Sequence, residues 1–185
     1  MIKLTRIKKE NLIELYNVIY TSKNPEWSKY NAPYFNEYKF LDLDMFLLTN
    51  HHEFYLSDRC YGIFVDNKLI GIVTRHWECF VTRWLEIGII IYDKSYWSRG
   101  IGETVLKIWI KDCFIKYPEI ERVGLTTWSG NHGMMRLAEK LGLILEGRLR
   151  KVRYYNGSYY DSVKYGILRE EFFNSQIENK HSNKL

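Results

Sequence analysis

The sequence predicts an α+β fold: a three-layer α/β/α arrangement with a mixed, mostly antiparallel central sheet of six to seven strands, flanked by about four helices. Three observations predict it. Two strand-like segments flank the turn Asp66-Asn67-Lys68, and two more flank Asn156-Gly157, the strongest two-residue hairpin signal in the chain. Between these hairpins lie an apolar strand, an amphipathic helix, a further strand and a short helix. That mixed order excludes a regular doubly wound parallel sheet. At 185 residues, 46% of them hydrophobic, the chain has the size of one domain and can bury a core without disulfides.

Taken in order, residues 2–6 alternate weakly and give a short first strand. Leu12, Leu15, Tyr16, Ile19 and Tyr20 recur at helical spacing. The stretch from Asn24 to Phe35 is aromatic, holds two of the three prolines and reads as a loop. Phe40, Leu41, Met45, Phe46 and Leu48 suggest a second helix. Cys60 to Val65 and Leu69 to Thr74 form the first hairpin, and Trp84 to Tyr92 is a third apolar strand. In the helix from Ile101 to Ile115, one face carries Ile101, Val105, Ile108, Trp109 and Cys113, and another Glu103, Lys107 and Lys111. Pro118 lies just past its end. Val123 to Trp128 is a strand. Met134 to Leu141 is a short helix, with Asn131 as a cap and Gly142 as a stop. Leu149 to Tyr155 and Ser158 to Ile167 make the final hairpin. A single domain over residues 1–173 follows, with 174–185 as a polar tail expected to fray.

Charge and cysteine content exclude several classes. The net charge is +5, but no block of five or six Lys/Arg occurs, which speaks against a nucleic-acid partner. No apolar run approaches the roughly 20 residues of a membrane span, and the N-terminus lacks the apolar run of a signal peptide. Cys60, Cys79 and Cys113 are odd in number with no CxxC pair, so a reducing, cytoplasmic setting fits better than a disulfide framework or a zinc site. Among the histidines, His51 and His52 are adjacent and point to different faces, His76 and His132 lack a partner at ligand spacing, and His181 falls in the tail. No metal site is expected, and the first four read as non-catalytic.

The segment that carries chemistry is Trp97-Ser98-Arg99-Gly100-Ile101-Gly102, between a strand and a helix. A helix start offers unpaired N–H groups and the positive end of the dipole, and glycines let a phosphate approach the backbone. Arg99 adds a charge that reaches a phosphate oxygen. A P-loop is excluded, because no Lys-Ser or Lys-Thr follows a glycine, and the dinucleotide fingerprint fails because Val105 stands where its third glycine belongs.

Tyr96-Trp97-Ser98-Arg99-Gly100-Ile101-Gly102-Glu103 resembles the central acetyl-CoA motif of the GNAT superfamily, Gln/Arg-x-x-Gly-x-Gly/Ala. Trp97 stands at the Gln/Arg position, a departure typical of the branch that contains the ribosomal-protein N-terminal alanine acetyltransferases and their uncharacterised bacterial relatives. Leu85-Glu86-Ile87-Gly88 is similar to that branch's fourth strand. Asn131 with Ala138-Glu139-Lys140-Leu141-Gly142-Leu143 is similar to its next motif. Glu146-Gly147-Arg148, Asn156 to Ser162 and Leu168 to Phe172 resemble its C-terminal hairpin. The resemblance runs from about Tyr61 to Phe172.

The resemblance implies an acyl-CoA-dependent N-acetyltransferase that uses acetyl-CoA, releases CoA and acts on a small-molecule amine or a peptide N-terminus. The alternative is a CoA-binding regulatory module without turnover. The cofactor is expected on Trp97, Ser98, Arg99, Gly100, Ile101, Gly102, Glu103 and Lys140, on the backbone of Ile90, Ile91 and Tyr92 in a splayed fourth strand, and on Asn131. Attack on a thioester needs a free amine, so a base must take the ammonium proton, and Glu86 is the candidate. Its structural alternative is an ion-paired strand carboxylate. Relatives carry a tyrosine where Ala138 stands, or a serine where Met134 stands, and neither residue here can protonate a thiolate. Tyr159 and Tyr160 read as packing residues before they read as acids. In the family the early aromatic loop borders the acceptor pocket, which points to Trp27, Tyr34 and Phe35. Glu37, Asp42 and Asp44 offer an acidic patch for a cationic acceptor. A homodimer is compatible with a fold of this size.

Overall fold

Local turn chemistry sets the frame. Asp66 and Asn67 take φ of 49° and 65°, and Asn156 and Gly157 take 46° and 76°. This is the double left-handed signature of tight hairpins, in residues that accept it at low cost. The computed structural model describes residues 1–35, 38–48 and 51–182. The strands are β1 (Ile2–Arg6), β2 (Cys60–Val65), β3 (Lys68–Cys79), β4 (Trp84–Ile91), β5 (Arg122–Trp128), β6 (Ile144–Tyr155) and β7 (Ser158–Leu168). The helices are α1 (Leu12–Ile19), α2 (Leu43–Leu48), α3 (His51–Leu56), α4 (Ile101–Lys116), α5 (His132–Lys140) and α6 (Arg169–Ser182). One seven-stranded sheet runs in the order β1-β2-β3-β4-β5-β7-β6. Every neighbouring pair is antiparallel except β4–β5, which is parallel because α4 crosses between them.

Side chains alternate across the sheet and feed two cores. Leu85, Ile87, Val123 and Leu125 pack against Val105, Leu106, Trp109 and Ile110 of α4. On the other face, Leu69, Ile72 and Tyr92 meet Leu12, Leu15 and Ile19 of α1 and Phe46 of α2. Residues of β4 with the opposite parity to Leu85 and Ile87 therefore share the α1 face. These are Trp84, Glu86, Gly88 and Ile90.

Three sequence expectations change. β3 extends to Cys79 and β6 begins at Ile144, so both hairpins have a longer arm than composition suggested. Residues beyond Phe173 continue α6 to Ser182 instead of fraying at 174. The last change has a physical cause. Phe172 is buried, and Phe172 and Phe173 lie 5.8 and 6.0 Å from the Phe114 ring. The Glu171 carboxylate accepts from the Leu168 N–H at 2.8 Å. The Arg169 guanidinium donates to the carbonyls of Phe114, Tyr117, Pro118 and Ile120 around the end of α4, so the start of α6 also caps that helix.

Candidate active site

The ladder between β4 and β5 is short. Register pairs exist only at Leu85↔Val123 and Glu86↔Gly124. Beyond Glu86 the strands part, while β4 stays paired with β3 as far as Gly71↔Ile91, and β5 with β7 as far as Trp128↔Ser162. The result is a wedge with its apex at Glu86 and its mouth between Ile91 and Trp128. The Tyr92 N–H donates to Ile70 O at 2.9 Å on the β3 side. Strand alternation then turns the backbone groups of Ile90 toward β3 and those of Ile89 and Ile91 into the wedge. The Ile91 carbonyl already accepts the Trp97 indole N–H at 2.8 Å. Of the three residues expected to offer backbone groups, Ile91 keeps its N–H for the wedge, whereas Ile90 and Tyr92 serve the β3 ladder. The sequence reading missed Ile89, which has the parity of Ile91.

The glycine loop sits at the mouth. Ser98 and Gly100 adopt φ of 56° and 75°, and Gly100 is the residue from which α4 starts. Thr104 N–H is the first to turn back, donating to Gly100 O at 3.1 Å. The N–H groups of Ile101, Gly102 and Glu103 are thus the orphan donors of a 16-residue helix. A Cβ on Gly102 would lie 3.1 Å from Leu137 of α5 and 4.0 Å from Ile89, so this glycine lets α4, α5 and β4 converge. Nothing lies within 4 Å of a Cβ built on Gly100. The loop therefore presents open ground, positive dipole and bare N–H groups together, which fits a pyrophosphate. Arg99 is exposed, with its guanidinium 5.6 Å from the Tyr96 ring centroid. Glu103 is held by Lys107 at 2.7 Å and Lys140 at 2.6 Å. The hydrogen bond from Lys107, then that from Lys140, pulls its carboxyl down to about 2. The two lysines neutralise the one acid in the cradle, and Lys140 reaches the helix start through it.

At the apex Glu86 is 1% exposed, on the face opposite α4. Its Oε2 accepts the Thr126 hydroxyl at 2.7 Å and its Oε1 accepts the Trp84 indole N–H at 3.2 Å. Lys164 Nζ lies 3.6 Å from Oε1 and donates to Thr126 Oγ1 at 3.1 Å. His76 on β3 is the cross-strand partner of Glu86. Thr126, Lys164 and His76 were not singled out as partners of Glu86, because they meet it only through sheet register; Trp84 lies two residues before it on the same strand.

The remaining candidates divide. Trp27 is a correction: it is buried in the α1-side core, its indole N–H donates to Ile19 O at 3.2 Å, and its ring meets Tyr38 and Tyr92 at 5.4 and 5.0 Å. Its apolar bulk is spent on packing, not on a pocket. Tyr92 likewise belongs to that core, where burial pushes its hydroxyl well above the usual range. Tyr34 and Phe35 do lie over the sheet near the mouth. The Tyr34 ring is 5.7 Å from Trp128, and the Arg153 guanidinium is 5.0 and 4.6 Å from the two ring centroids. The Asn131 Oδ1 accepts Met134 N–H at 3.0 Å and its Nδ2 donates to Tyr30 O at 3.3 Å, so both ends of the amide are committed to capping and to the loop. Ala138 is fully buried on the α5 side. In the acidic patch, Asp42 accepts from Met45 N–H at 2.8 Å as a cap of α2, and Glu37 lies outside the described residues. His76, Glu78 and Glu86 are the one His/Cys/Asp/Glu group of metal-ligand geometry among the described residues.

A parallel pair that opens above a helix-borne glycine cradle, with a carboxylate at the apex, is an architecture for holding an extended phosphorylated carrier across a sheet. The chain belongs to the GNAT acetyltransferases: the family described as "Acetyltransferase (GNAT) domain" matches residues 2–144. The SPbeta prophage-derived uncharacterized N-acetyltransferase YokL of Bacillus subtilis (strain 168) is 29% identical over 107 residues, which span 58% of this chain and 59% of that protein. Among solved structures, the fold is similar to a spermidine N-acetyltransferase from Vibrio cholerae in complex with CoA and spermine, with TM-score 0.72, 22% identity, and 93% of this chain and 98% of that one covered. It is also similar to RimL, a ribosomal L7/L12 alpha-N-protein acetyltransferase in complex with CoA, with TM-score 0.69, 18% identity, and 90% and 93% covered. Among the described residues, no helix is long and apolar enough to cross a membrane.

Proposed function

We propose that this chain transfers the acetyl group of acetyl-CoA to a primary amine by direct attack, the acceptor being a small-molecule amine or a protein N-terminus. One observation carries this reading. The wedge between β4 and β5 leads from the glycine cradle at Gly100–Gly102 to the carboxylate of Glu86. Family membership and the CoA held by both structural neighbours agree with it. So do their acceptors, a polyamine in one and a protein N-terminus in the other, as their names state.

The acyl donor supplies a thioester carbonyl when bound. The N–H groups of Ile101, Gly102 and Glu103, with Arg99, are assigned to its pyrophosphate. The wedge-facing N–H groups of Ile89 and Ile91 are assigned to its arm and carbonyl. Glu86 takes one proton from the incoming ammonium, which frees the lone pair for attack. Thr126, Trp84 and Lys164 fix the carboxylate and limit its rotation. Ala138 and Met134 offer no proton, so the departing thiolate takes one from water. Residues 1–173 are read as the acetyltransferase domain, with the end of α6 as its extension. The unpaired Cys60, Cys79 and Cys113 agree with a cytoplasmic setting.

The test is thiol release from acetyl-CoA with spermidine, ethanolamine and an alanyl peptide as acceptors, for the wild type and Glu86→Gln. The variant keeps the shape and loses the basic oxygen. The rate should fall by about 10²–10⁴ with CoA affinity unchanged, and the deficit should shrink at high pH, where free amine forms unaided. Equal turnover by both proteins at neutral pH would remove Glu86 from the mechanism. No turnover with any amine, alongside tight CoA binding, would favour a regulatory CoA module.

A further inference from the structure

A buried base has to be emptied after each turnover, and the surroundings of Glu86 restrict how. At 1% exposure its carboxylate does not deliver a proton to bulk water directly. The Trp84 indole and the Lys164 ammonium are donors without an acceptor lone pair, so neither receives a proton from it. The Thr126 hydroxyl gives its own hydrogen to Glu86 Oε2, and its oxygen already accepts from Lys164. That leaves the β3 side. His76 is the register partner of Glu86, and Glu78 follows two residues along on the same face. One ligand atom from each of His76, Glu78 and Glu86 lies within 4.8 Å of the other two. The His76 Nε2 is 3.3 Å from Glu78 Oε1, and the side chains of His76 and Glu78 are 52% and 41% exposed. Glu86 is thus buried, whereas the imidazole and the second carboxylate beside it both stand in water.

We propose that His76 is the outlet of the base: it receives the proton collected by Glu86 through one bridging water, across a gap of under 4.8 Å, and passes it to Glu78 and solvent. The proposal rests on Glu86 being the base and assigns the next step. The acceptor ammonium loses one proton to Glu86, and neutral His76 takes that proton and becomes imidazolium. The free amine forms the C–N bond as the C–S bond breaks, and the second proton shed by the nitrogen ends, by way of water, on the departing thiolate. The imidazolium returns the proton to water, which resets Glu86 as carboxylate. Histidine suits the step because it is the side chain that both gains and loses a proton near neutral pH. The groups facing it are Glu78 on its own strand, Glu86 on β4 and, behind Glu86, Lys164 on β7. His76 touches no substrate in this scheme, so it is a positioning and relay residue. A structural role alone would be met by any side chain that keeps the hydrogen bond to Glu78.

Two measurements test it, and one needs no acceptor. In ring 15N–1H spectra of the protein without ligand at neutral pH, with His76 assigned by its loss in His76→Gln, Glu86→Gln should move the ring signals of His76 and leave those of His132 in place. His76 ring signals that ignore Glu86→Gln overturn the proposal. In kinetics with acetyl-CoA and spermidine or the alanyl peptide at low buffer concentration, His76→Gln should lower kcat by about 10²-fold, the low end of the range of general acid–base steps. KM for acetyl-CoA should hold, and added imidazole should restore much of the rate. Normal kcat in His76→Gln beside a crippled Glu86→Gln overturns the relay and leaves the base assignment standing. Normal kcat in both overturns both. A lowered kcat that imidazole does not restore, with the His76 ring signals unmoved by Glu86→Gln, overturns the relay and marks His76 as structural.

Discussion

The cradle assignment turns on Gly100, and the structure separates its two duties, backbone conformation and open space. Gly100 sits at φ 75°, and no heavy atom lies within 4 Å of a Cβ built there. Gly100→Ala therefore costs only the left-handed backbone, about 1–2 kcal/mol. For a chain of this length that lowers Tm by about 2–8 °C, at about 2–4 °C per kcal/mol. Gly100→Asn costs less, since asparagine tolerates that region. Either side chain, however, stands in the ground before the N–H groups of Ile101 and Gly102. At CoA concentrations about 100 times Kd, the wild type gains about 2.7 kcal/mol, or roughly 5–11 °C. A hundredfold loss of affinity would leave about 0.4 kcal/mol, about 1 °C. Gly142 supplies the control: its φ is 81°, its Cβ also meets nothing within 4 Å, and it ends α5. Gly142→Ala should lower Tm without ligand much as Gly100→Ala does, yet keep the full CoA shift. The assay is thermal denaturation with and without CoA. A full CoA shift in Gly100→Ala and Gly100→Asn refutes the phosphate assignment.

Three further outcomes follow from the same geometry. Arg99→Ala should weaken CoA more than a pantetheine fragment without the pyrophosphate, as isothermal titration of both ligands would show; equal losses would place Arg99 away from the phosphates. For Glu103 the folded carboxyl lies at about 2, against 4.5 for the free side chain, held down by Lys107 and then Lys140. A depressed carboxyl stabilises the fold above its unfolded value and loses that contribution as pH falls toward its folded one. The Tm gap between wild type and Glu103→Gln should therefore be full at neutral pH and close between about pH 4.5 and 2, and a gap that is constant with pH would sink the ion-pair account. Trp97→Phe removes the donor to Ile91 O and should cost about 1 kcal/mol in urea unfolding, the usual net worth of such a bond; a neutral result would mean that water replaces it freely.

What the sequence made legible was chemistry that is local in the chain. The glycine loop could be read because a helix start, two glycines and an arginine adjoin one another. The hairpins at Asp66-Asn67 and Asn156-Gly157 could be read because turn residues act through their own φ. The shell around Glu86 was not legible, since His76, Thr126 and Lys164 reach it only through the register of β3, β5 and β7. Periodicity also misjudged α6, whose polar surface carries little pattern and which is held by Arg169, Phe172 and Phe173 against the end of α4. Trp27 shows the converse error. An aromatic residue in a proline-bearing loop looked like pocket lining, but its indole N–H finds Ile19 O and draws the ring into the core. Asn131 served two readings at once, and its short bond to Met134 N–H shows the cap to be filled.

The wedge itself needs an explanation, because a parted ladder exposes backbone groups that a closed sheet would pair. Tryptophans and one loop carbonyl hold it. On the β4 side, Trp97 closes back on Ile91 O, and its ring meets Tyr30 at 5.6 Å. On the β5 side, the Trp128 indole N–H donates to the carbonyl of the same Tyr30 at 3.1 Å, and Asn131 Nδ2 reaches that oxygen at 3.3 Å. Ser129 N–H continues the outer ladder by donating to Asp161 O at 3.0 Å, so β5 is committed to β7 and not drawn back to β4. Tyr30 is thus a strut between the two lips of the mouth, its ring on one and its carbonyl on the other. This explains why the early aromatic loop lies over the sheet although Trp27 faces inward. The loop's contribution to the site is to keep β4 and β5 apart at a fixed spacing, so that the donors of Ile89 and Ile91 are positioned before any ligand arrives.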